Sequence, residues 1–314
     1  MHEMFHSRKY EHPRGSIEMR TEILTGIRSR ICPERLKRGI GVQDLPEYGA
    51  EGCPFCPDLI TEVTPVFPDG TRLIIGESTT FPNLYPFAAY HVVTVMTRDH
   101  MVRFFTEEQL KNALIAQCQA LKDHTGYASI NWNFLPSAGA SLPHPHLQGL
   151  VDPVPDTLLD RYLSHSRMYY RSHGRSWWND LRIHEKNSMR YLDGLHLFWY
   201  AHPVPIGEKE IRCILPGVTV TDFEGVIDMF SEDLKKILDF YQDLGHSAWN
   251  MSIFFAQEEE RDYFSSFAIL IARINPNSRS TSDTAFMERL HLEPVVLTLP
   301  EDLGGLWQDN NQNK

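Results

Sequence analysis

The sequence predicts an α+β protein built from two related halves, each an antiparallel sheet with packed helices. Three observations lead there. Short β-rich runs bounded by turn residues alternate with two well-marked helices. The order strand, capped helix, strand, strand occurs twice, from Arg72 and again from Glu210. At 314 residues, 42% hydrophobic and 23% charged, the chain can bury the core of two ordinary domains. The halves are expected at 1–165 and 166–314, joined across the Arg-, Ser- and aromatic-rich stretch from Arg161 to Arg190.

In the first half, Arg72-Leu-Ile-Ile-Gly reads as a short strand, and Phe81 to His100 as a turn feeding a second strand. Thr106-Glu-Glu-Gln109 is a capping box, and Leu110, Leu114, Cys118 and Leu121 follow at helical spacing, which makes Cys118 a core residue. Ala128 to Phe134 is the next strand. In the second half, Glu210 to Leu215 is a strand. Ser231 is expected to cap a helix carrying Leu234, Ile237, Leu238, Tyr241 and Leu244 on one face and ended by Gly245. Trp249 to Ala256 and Ser266 to Arg273 are strands. The acidic run Glu258 to Asp262 reads as a solvated loop and the tail from Gln308 to Lys314 as disordered. The tryptophans read as core or interface residues, and His2, His6, His124, His165, His173, His184 and His246 as surface or incidental ones.

Charge and cysteine content narrow the function classes. A formal net charge of -11 argues against a nucleic-acid partner, while small phosphorylated molecules need only a few local cations. No apolar signal core opens the sequence and no run approaches a membrane span, so no membrane partner is expected. Five cysteines, sparse and odd in number, fit a reducing cytoplasm. Two of them form Cys53-Pro-Phe-Cys56, open to a redox or a zinc reading; zinc needs two more ligands, for which His100 and His144 are the natural candidates. The segment Thr25 to Gly39, with Arg35 and Arg38, is either a solvated basic loop or a pyrophosphate clamp.

The chemistry concentrates between Asn133 and Gln148. In an extended segment His144, His146 and Gln148 share one face, behind a narrow loop of small residues from Ser137 to Ser141. Pro143 and Pro145 lack amide hydrogens, which suits an edge strand. Two imidazoles and an amide on an open surface offer a nucleophile or base, a metal ligand and a phosphate donor. The bland alternative is a pair of surface histidines in a Pro-rich turn.

Gly139-Ala-Ser141-Leu-Pro-His144-Pro-His146-Leu-Gln148 resembles the galactose-1-phosphate uridylyltransferase branch of the histidine-triad (HIT) superfamily. Asn83-Leu-Tyr85-Pro-Phe87 to His100 is similar to that superfamily's nucleotide-binding strand pair, Cys53 and Cys56 to its zinc cysteines, and Arg35 and Arg38 to its phosphate-contacting arginines. His202 to Arg212 is similar to the entry strand of its second domain. The resemblance implies two HIT-like halves, the first catalytic and zinc-bearing, the second degenerate. It implies ping-pong transfer of a nucleoside monophosphate, UMP favoured, from a nucleotide sugar to a sugar 1-phosphate. His146 would be the nucleophile and Gln148 a donor to a non-bridging oxygen. Arg35, Arg38, Asn83, Asn133 and Ser141 would bind substrate, and a structural zinc would lie on Cys53, Cys56, His100 and His144. With Ser265, Ser266 and Phe267 in the second half, no second metal is expected. A homodimer is implied. An amide at position 148, where superfamily hydrolases have a third histidine, favours transfer over hydrolysis.

Two departures matter. Leu84 stands where uridylyltransferases carry an acidic residue, and Asn83-Leu-Tyr85-Pro is more like the adenine-nucleotide members. The hexose-holding segment is matched only loosely, by Phe286-Met-Glu-Arg-Leu-His291-Leu. Two alternatives therefore stand beside the first reading. One is a phosphorylase that splits an ADP- or GDP-linked sugar or a dinucleoside polyphosphate with inorganic phosphate. The other is a non-catalytic nucleotide-binding zinc protein.

Overall fold

The structure, a computed structural model, describes residues 4–13, 15–38, 48–274 and 283–312. The chain opens with the hairpin of β1 (Phe5–His12) and β2 (Gly15–Glu22), then β3 (Arg28–Ile31) and a 3-10 helix, Pro33–Arg38. A one-turn helix α1 (Ile60–Val63) leads to β4 (Leu73–Ile75), β5 (Ser78–Pro82), β6 (Tyr90–Val95), α2 (Glu107–Leu121), β7 (Tyr127–Phe134) and β8 (His146–Asp152). Two helices, α3 (Thr157–His173) and α4 (Trp177–Lys186), connect this set to the next. The second set is β9 (Phe198–Ala201), β10 (Ile211–Ile214), α5 (Val220–Glu224), α6 (Ile227–Asp243), β11 (Ala248–Phe254) and β12 (Phe267–Arg273). Last come β13 (Val295–Val296) and α7 (Pro300–Gln312).

Both sets of strands are antiparallel and join edge to edge. One nine-stranded sheet runs β4-β5-β6-β8-β7-β11-β12-β10-β9, and the seam between the sets is the β7–β11 ladder. A second sheet of four, β1-β2-β3-β13, closes with a parallel β3–β13 pair. Strand alternation sorts the large sheet into two faces. Along β7 and β8, Ala128, Ile130, Trp132, Leu147 and Val151 are buried in the main core, with Leu110, Leu114, Cys118 and Leu121 of α2 and Leu234, Ile237 and Tyr241 of α6. Ser129, Asn131, Asn133 and Gln148 point to the other face and are only half buried. On that face the second set is roofed by a separate cluster in which Tyr162, Trp177, Trp178 and Phe264 meet Phe254 and Phe267. In the first set the same face is covered at β5 and β6, where Phe55 and Ile60 pack on Phe81, Val93 and Val95, and those polar residues on β7 and β8 stay half buried.

Thr106 caps α2 with both bonds of the box in place, as its sequence predicts. Ser231 does not cap α6: the helix begins at Ile227, and the Ser231 hydroxyl is buried in its second turn, donating to Ile227 O at 2.7 Å. A hydroxyl that can bond back to the preceding turn serves inside a helix as well as at its start. The segment Thr25 to Gly39 is not a plain loop, because β3 and the 3-10 helix occupy most of it. The tail is helical to Gln312, held by Leu303 and Trp307 in the main core. Within the acidic run Glu260 is buried, accepting from Tyr127 Oη and Gln257 N, and His246 is buried rather than superficial. All six tryptophans are buried, as expected.

A charged cluster pins the small sheet to the second set. Glu22 of β2, at 3% exposure, accepts from Tyr162 Oη at 3.0 Å, lies 3.2 Å from His202 Nε2 and is bonded by Thr25. Tyr162 takes a hydrogen bond from Arg212, whose Nε pairs with the equally buried Glu210. Arg20 and Arg190 share Glu301 at the start of α7, and Arg190 also pairs with the buried Glu185.

Candidate functional site

Four of the residues singled out in the sequence meet in one cluster. The donor atoms of Cys53, Cys56, His100 and His144 all lie within 4.8 Å of one another. The Cys56 sulfur is 3.4 Å from His100 Nδ1 and 3.7 Å from His144 Nδ1, which is also 3.7 Å from the Cys53 sulfur. Tetrahedral zinc with bonds of 2.3 Å to sulfur and 2.0–2.1 Å to nitrogen sets sulfur and nitrogen about 3.5 Å apart. His144 Nε2, 2.9 Å from Thr97 O, donates its hydrogen there, so its Nδ1 lone pair faces the sulfurs. Burial and the neighbouring Cys53 push the Cys56 thiol up to about 11, because two adjacent thiolates repel without a cation between them. Donor set, spacing and orientation thus fit a metal ion with four protein ligands.

The turn Cys53-Pro-Phe-Cys56 closes with Cys56 N donating to Cys53 O at 3.2 Å. It lays Phe55 across the histidines, with ring centroids 5.2 Å from His146 and 6.2 Å from His144. His144 itself is fully buried in the cluster and ends before β8 begins. It therefore does not share an open face with His146 and Gln148, contrary to the simple alternation of an extended segment. Nor is the segment an edge strand: β8 pairs with β6 on one side and β7 on the other, and both prolines precede it. The lack of an amide hydrogen at Pro143 and Pro145 affects the loop and not the ladder.

His146 opens β8. Its Nδ1 lies 2.8 Å from His144 O and donates to it, which leaves Nε2 as the lone-pair nitrogen. Among the described residues no hydrogen bond reaches Nε2. Burial holds the ring below the ordinary imidazole pKa, so it is neutral at pH 7. The loop before it is tight: Leu135 has φ +71° and Gly139 +91°, and Leu135 O accepts from both Ala138 N and Ala140 N. A non-glycine residue at positive φ is strained and persists only where its surroundings enforce it. Ser141 is exposed on this loop.

Gln148 lies two residues along the same face. Its Oε1 is 2.9 Å from His91 Nε2, and that nitrogen is also 3.0 Å from Asn83 Nδ2. Asn83 accepts from Tyr85 N at 2.9 Å, which shapes a turn presenting Tyr85 and Phe87 at 82% and 73% exposure. Asn133 Oδ1 accepts from Asn250 Nδ2, which also donates to Ala138 O, so Asn250 ties strand to loop across the β7–β11 seam. Ser252 donates to Asn131 Oδ1 one register step away, and Arg273 donates to Asn250 Oδ1. Asn131, Asn250 and Ser252 were not singled out in the sequence, and His91 only as part of the strand pair that resembles a nucleotide-binding one. A signal existed: Ser129, Asn131 and Asn133 of β7 and Asn250 and Ser252 of β11 alternate with buried apolar residues, marking a polar stretch on one face.

Arg35 is not brought to His146 within the chain. It lines a cleft of about 980 Å3 between β2, β3 and β13, with Arg30, Lys37 and Cys32. The side chain of Arg38 lies outside the described residues. In the second half, Ser266 is buried against Val218 O and Phe267 belongs to the aromatic cluster.

No family model matches the chain. An uncharacterized protein of Archaeoglobus fulgidus is 26% identical over 305 residues, covering 91% of this chain and 90% of that one. An ADP-glucose phosphorylase from Arabidopsis thaliana, solved with bound ADP-glucose, superimposes with a TM-score of 0.74 at 18% identity, over 93% of this chain and 99% of that one. A GalT-like protein from the same plant gives 0.72 at 17% identity, over 93% and 98%. A uridylyltransferase gives 0.67 at 19% identity, over 94% and 98%. The fold implied by the sequence resemblance is the fold observed, along essentially the whole chain. No helix among the described residues is long and apolar enough to cross a membrane.

Proposed function

We propose that the protein is a nucleotidyltransferase that moves a nucleoside monophosphate from a nucleotide sugar to a phosphorylated acceptor through a covalent intermediate on His146. The observation that carries this is the hydrogen bond from His146 Nδ1 to His144 O at 2.8 Å, which leaves Nε2 as a neutral nucleophile beside a small-residue loop. Nε2 attacks the α-phosphorus, the P–O bond to the sugar phosphate breaks, and the departing phosphate carries off the electron pair. In the second half-reaction an acceptor oxygen attacks the same phosphorus and the P–N bond breaks, returning the imidazole. The Gln148 amide donates to a non-bridging oxygen as charge gathers there, and Ser141 and the backbone of the 137–141 loop share that charge. Asn83 holds the nucleoside end, and Asn133 steadies the loop through Asn250.

Zinc at Cys53, Cys56, His100 and His144 is structural in this reading: four protein ligands leave no open position, and its work is to pin His144 and thereby aim His146. The homodimer implied by the resemblance would bring Arg35 and Arg38 of one chain to the phosphates held by another. Uridylyl transfer to a sugar 1-phosphate is the first form of the reaction. The second, adenylyl transfer to inorganic phosphate, is favoured by the uncharged turn at Leu84 and Tyr85, both solvent-exposed.

Intact-mass analysis after exposure to UDP-, ADP- and GDP-sugars is the test. An acid-labile gain of one nucleoside monophosphate, absent in His146→Asn, is expected, and its size names the base. Discharge by a sugar 1-phosphate or by phosphate then names the acceptor. No adduct with any of these sugars, with ligand binding intact, would support the non-catalytic alternative.

A further inference from the structure

His91 is a buried titratable group that the transfer steps above do not use. It lies on β6 at 4% exposure, with its ring edge-on to Phe87 at 4.4 Å. Its Nε2 stands between two amides, 2.9 Å from Gln148 Oε1 and 3.0 Å from Asn83 Nδ2. One ring nitrogen carries either a hydrogen or a lone pair, so it cannot donate to the first and accept from the second at once. The opposite nitrogen decides. Phe87 N–H donates to Nδ1 across 3.5 Å, so in the neutral ring the hydrogen sits on Nε2 and goes to Gln148 Oε1. Burial keeps the ring neutral, lowering its pKa against the smaller opposing pull of Gln148.

An amide has one oxygen and one NH2 group. With Oε1 committed to His91, the Gln148 NH2 is the group left for the face that His146 shares. Reversed, the same side chain would present a carbonyl oxygen to a phosphoryl group and repel it. The transfer chemistry therefore needs one of two nearly isosteric orientations, and His91 is the residue that distinguishes them. The same nitrogen touches Asn83, which organises the turn bearing Tyr85 and Phe87.

We infer that His91 is a positioning residue: donating from Nε2, it locks the Gln148 amide with NH2 toward the transferred phosphoryl group and links that orientation to occupancy of the Asn83–Phe87 turn. This rests on the nucleotidyl-transfer reading above. A ligand that engages the Asn83 amide draws its hydrogens away from His91 Nε2 and removes the competing demand. The nucleoside end of the substrate thereby strengthens the grip on the residue that serves its phosphate.

The test is a cycle of His91→Phe, which keeps a ring without a donor, and His91→Gln, which keeps a donor, each in native and Gln148→Ala backgrounds. The rate of adduct formation at saturating nucleotide sugar is read by quenched intact mass, with metal content and melting temperature as controls. His91→Phe is expected to slow the native protein roughly 100-fold, the size of effect from misplacing a reacting group. Its effect in Gln148→Ala should fall below about twofold, because the residue it acts through is gone. His91→Gln should recover most of the rate. Equal losses in both backgrounds, or no loss in either, overturn the inference. If the native protein forms no adduct, the transfer reading fails instead, and 15N spectra of the His91 ring decide this one alone. An Nε2–H tautomer whose hydrogen exchanges faster in Gln148→Ala supports it, and an Nδ1–H tautomer overturns it.

Discussion

Gly149 follows Gln148 in β8, and its lack of a side chain is what lets the strand lie on α2. A Cβ at this position would stand 2.1 Å from Gln117 Oε1, and 3.0 Å from both Leu121 Cδ2 and Val92 Cγ2. Neither side yields without cost. Gln117 is fully buried and donates to Thr94 Oγ1 at 2.8 Å, which in turn lies 2.6 Å from Thr80 Oγ1. The strand is fixed by ladders to β6 and β7. Gly149→Ala therefore combines overpacking, about 1–3 kcal/mol, with loss of the Gln117–Thr94 bond, about 1 kcal/mol. At roughly 2.1 cal/mol/K of unfolding entropy per residue, a loss of about 2–4 kcal/mol lowers the melting temperature of a 314-residue chain by about 3–6 °C. A strand pushed outward also carries Gln148 and His146 with it, and a displacement near 1 Å costs about 100-fold in rate. Calorimetry and adduct formation read the two effects. Placed on Gln117→Ala, the same substitution should cost less than about 1 kcal/mol, since the oxygen it strikes has gone. A melting temperature within about a degree of native for Gly149→Ala, or an equal loss in both backgrounds, would refute the steric argument.

Cys56→Ser should purify without metal and melt well below the native protein, because the cluster loses one of four ligands; a full equivalent of zinc by elemental analysis would contradict this. Arg212→Met strands the buried carboxylate of Glu210 and should cost about 3–5 kcal/mol in denaturant unfolding. Stability should also fall in acid in a defined window. Burial alone would raise the Glu22 and Glu185 pKa values, but His202, Arg212 and Thr25 around the first, and His184, Arg190 and Ser188 around the second, hold both below the ordinary range. Their contribution is complete above the unfolded carboxylate value of about 4.3 and is lost as pH falls through the lower folded values. Melting temperatures tied to these groups should be level from about pH 7 to 5 and drop below about pH 4; a fall that neither Glu22→Gln nor Glu185→Gln changes would remove them as its cause.

Much of the architecture was legible because it rests on local patterns. The capping box at Thr106 and the stripe from Leu110 to Leu121 announce α2 within one stretch of sequence. The strands β7 and β11 announce themselves by alternating polar and apolar residues, and β12 by an apolar run. The N-terminal hairpin does not: β1 is largely exposed and mostly polar, with Arg8, Lys9 and Glu11 along it, so it shows no apolar face, and what holds the sheet is burial of Arg20 and Glu22 against distant partners. The helices α3 and α4 hide in a stretch rich in Arg and Ser, because their apolar residues pack on the second set of strands and not on the main core. Ser231 misled for a related reason, since a serine hydroxyl suits a helix start and a helix interior alike.

The residue types and spacings of Cys53, Cys56, His100, His144, His146 and Gln148 were set in the linear chain, as was the neutral, nucleophilic character of an imidazole. Folding alone decided which atoms of those residues face what. The Thr97 carbonyl selects the His144 nitrogen that meets the sulfurs, the His144 carbonyl selects the His146 nitrogen left with its lone pair, and His91 selects the face of the Gln148 amide. Each choice rests on a hydrogen bond to a partner that sequence distance does not reveal, such as Thr97, 47 positions from His144. It takes a folded interior, where an unmatched donor or acceptor has no water to turn to, to make such choices binding.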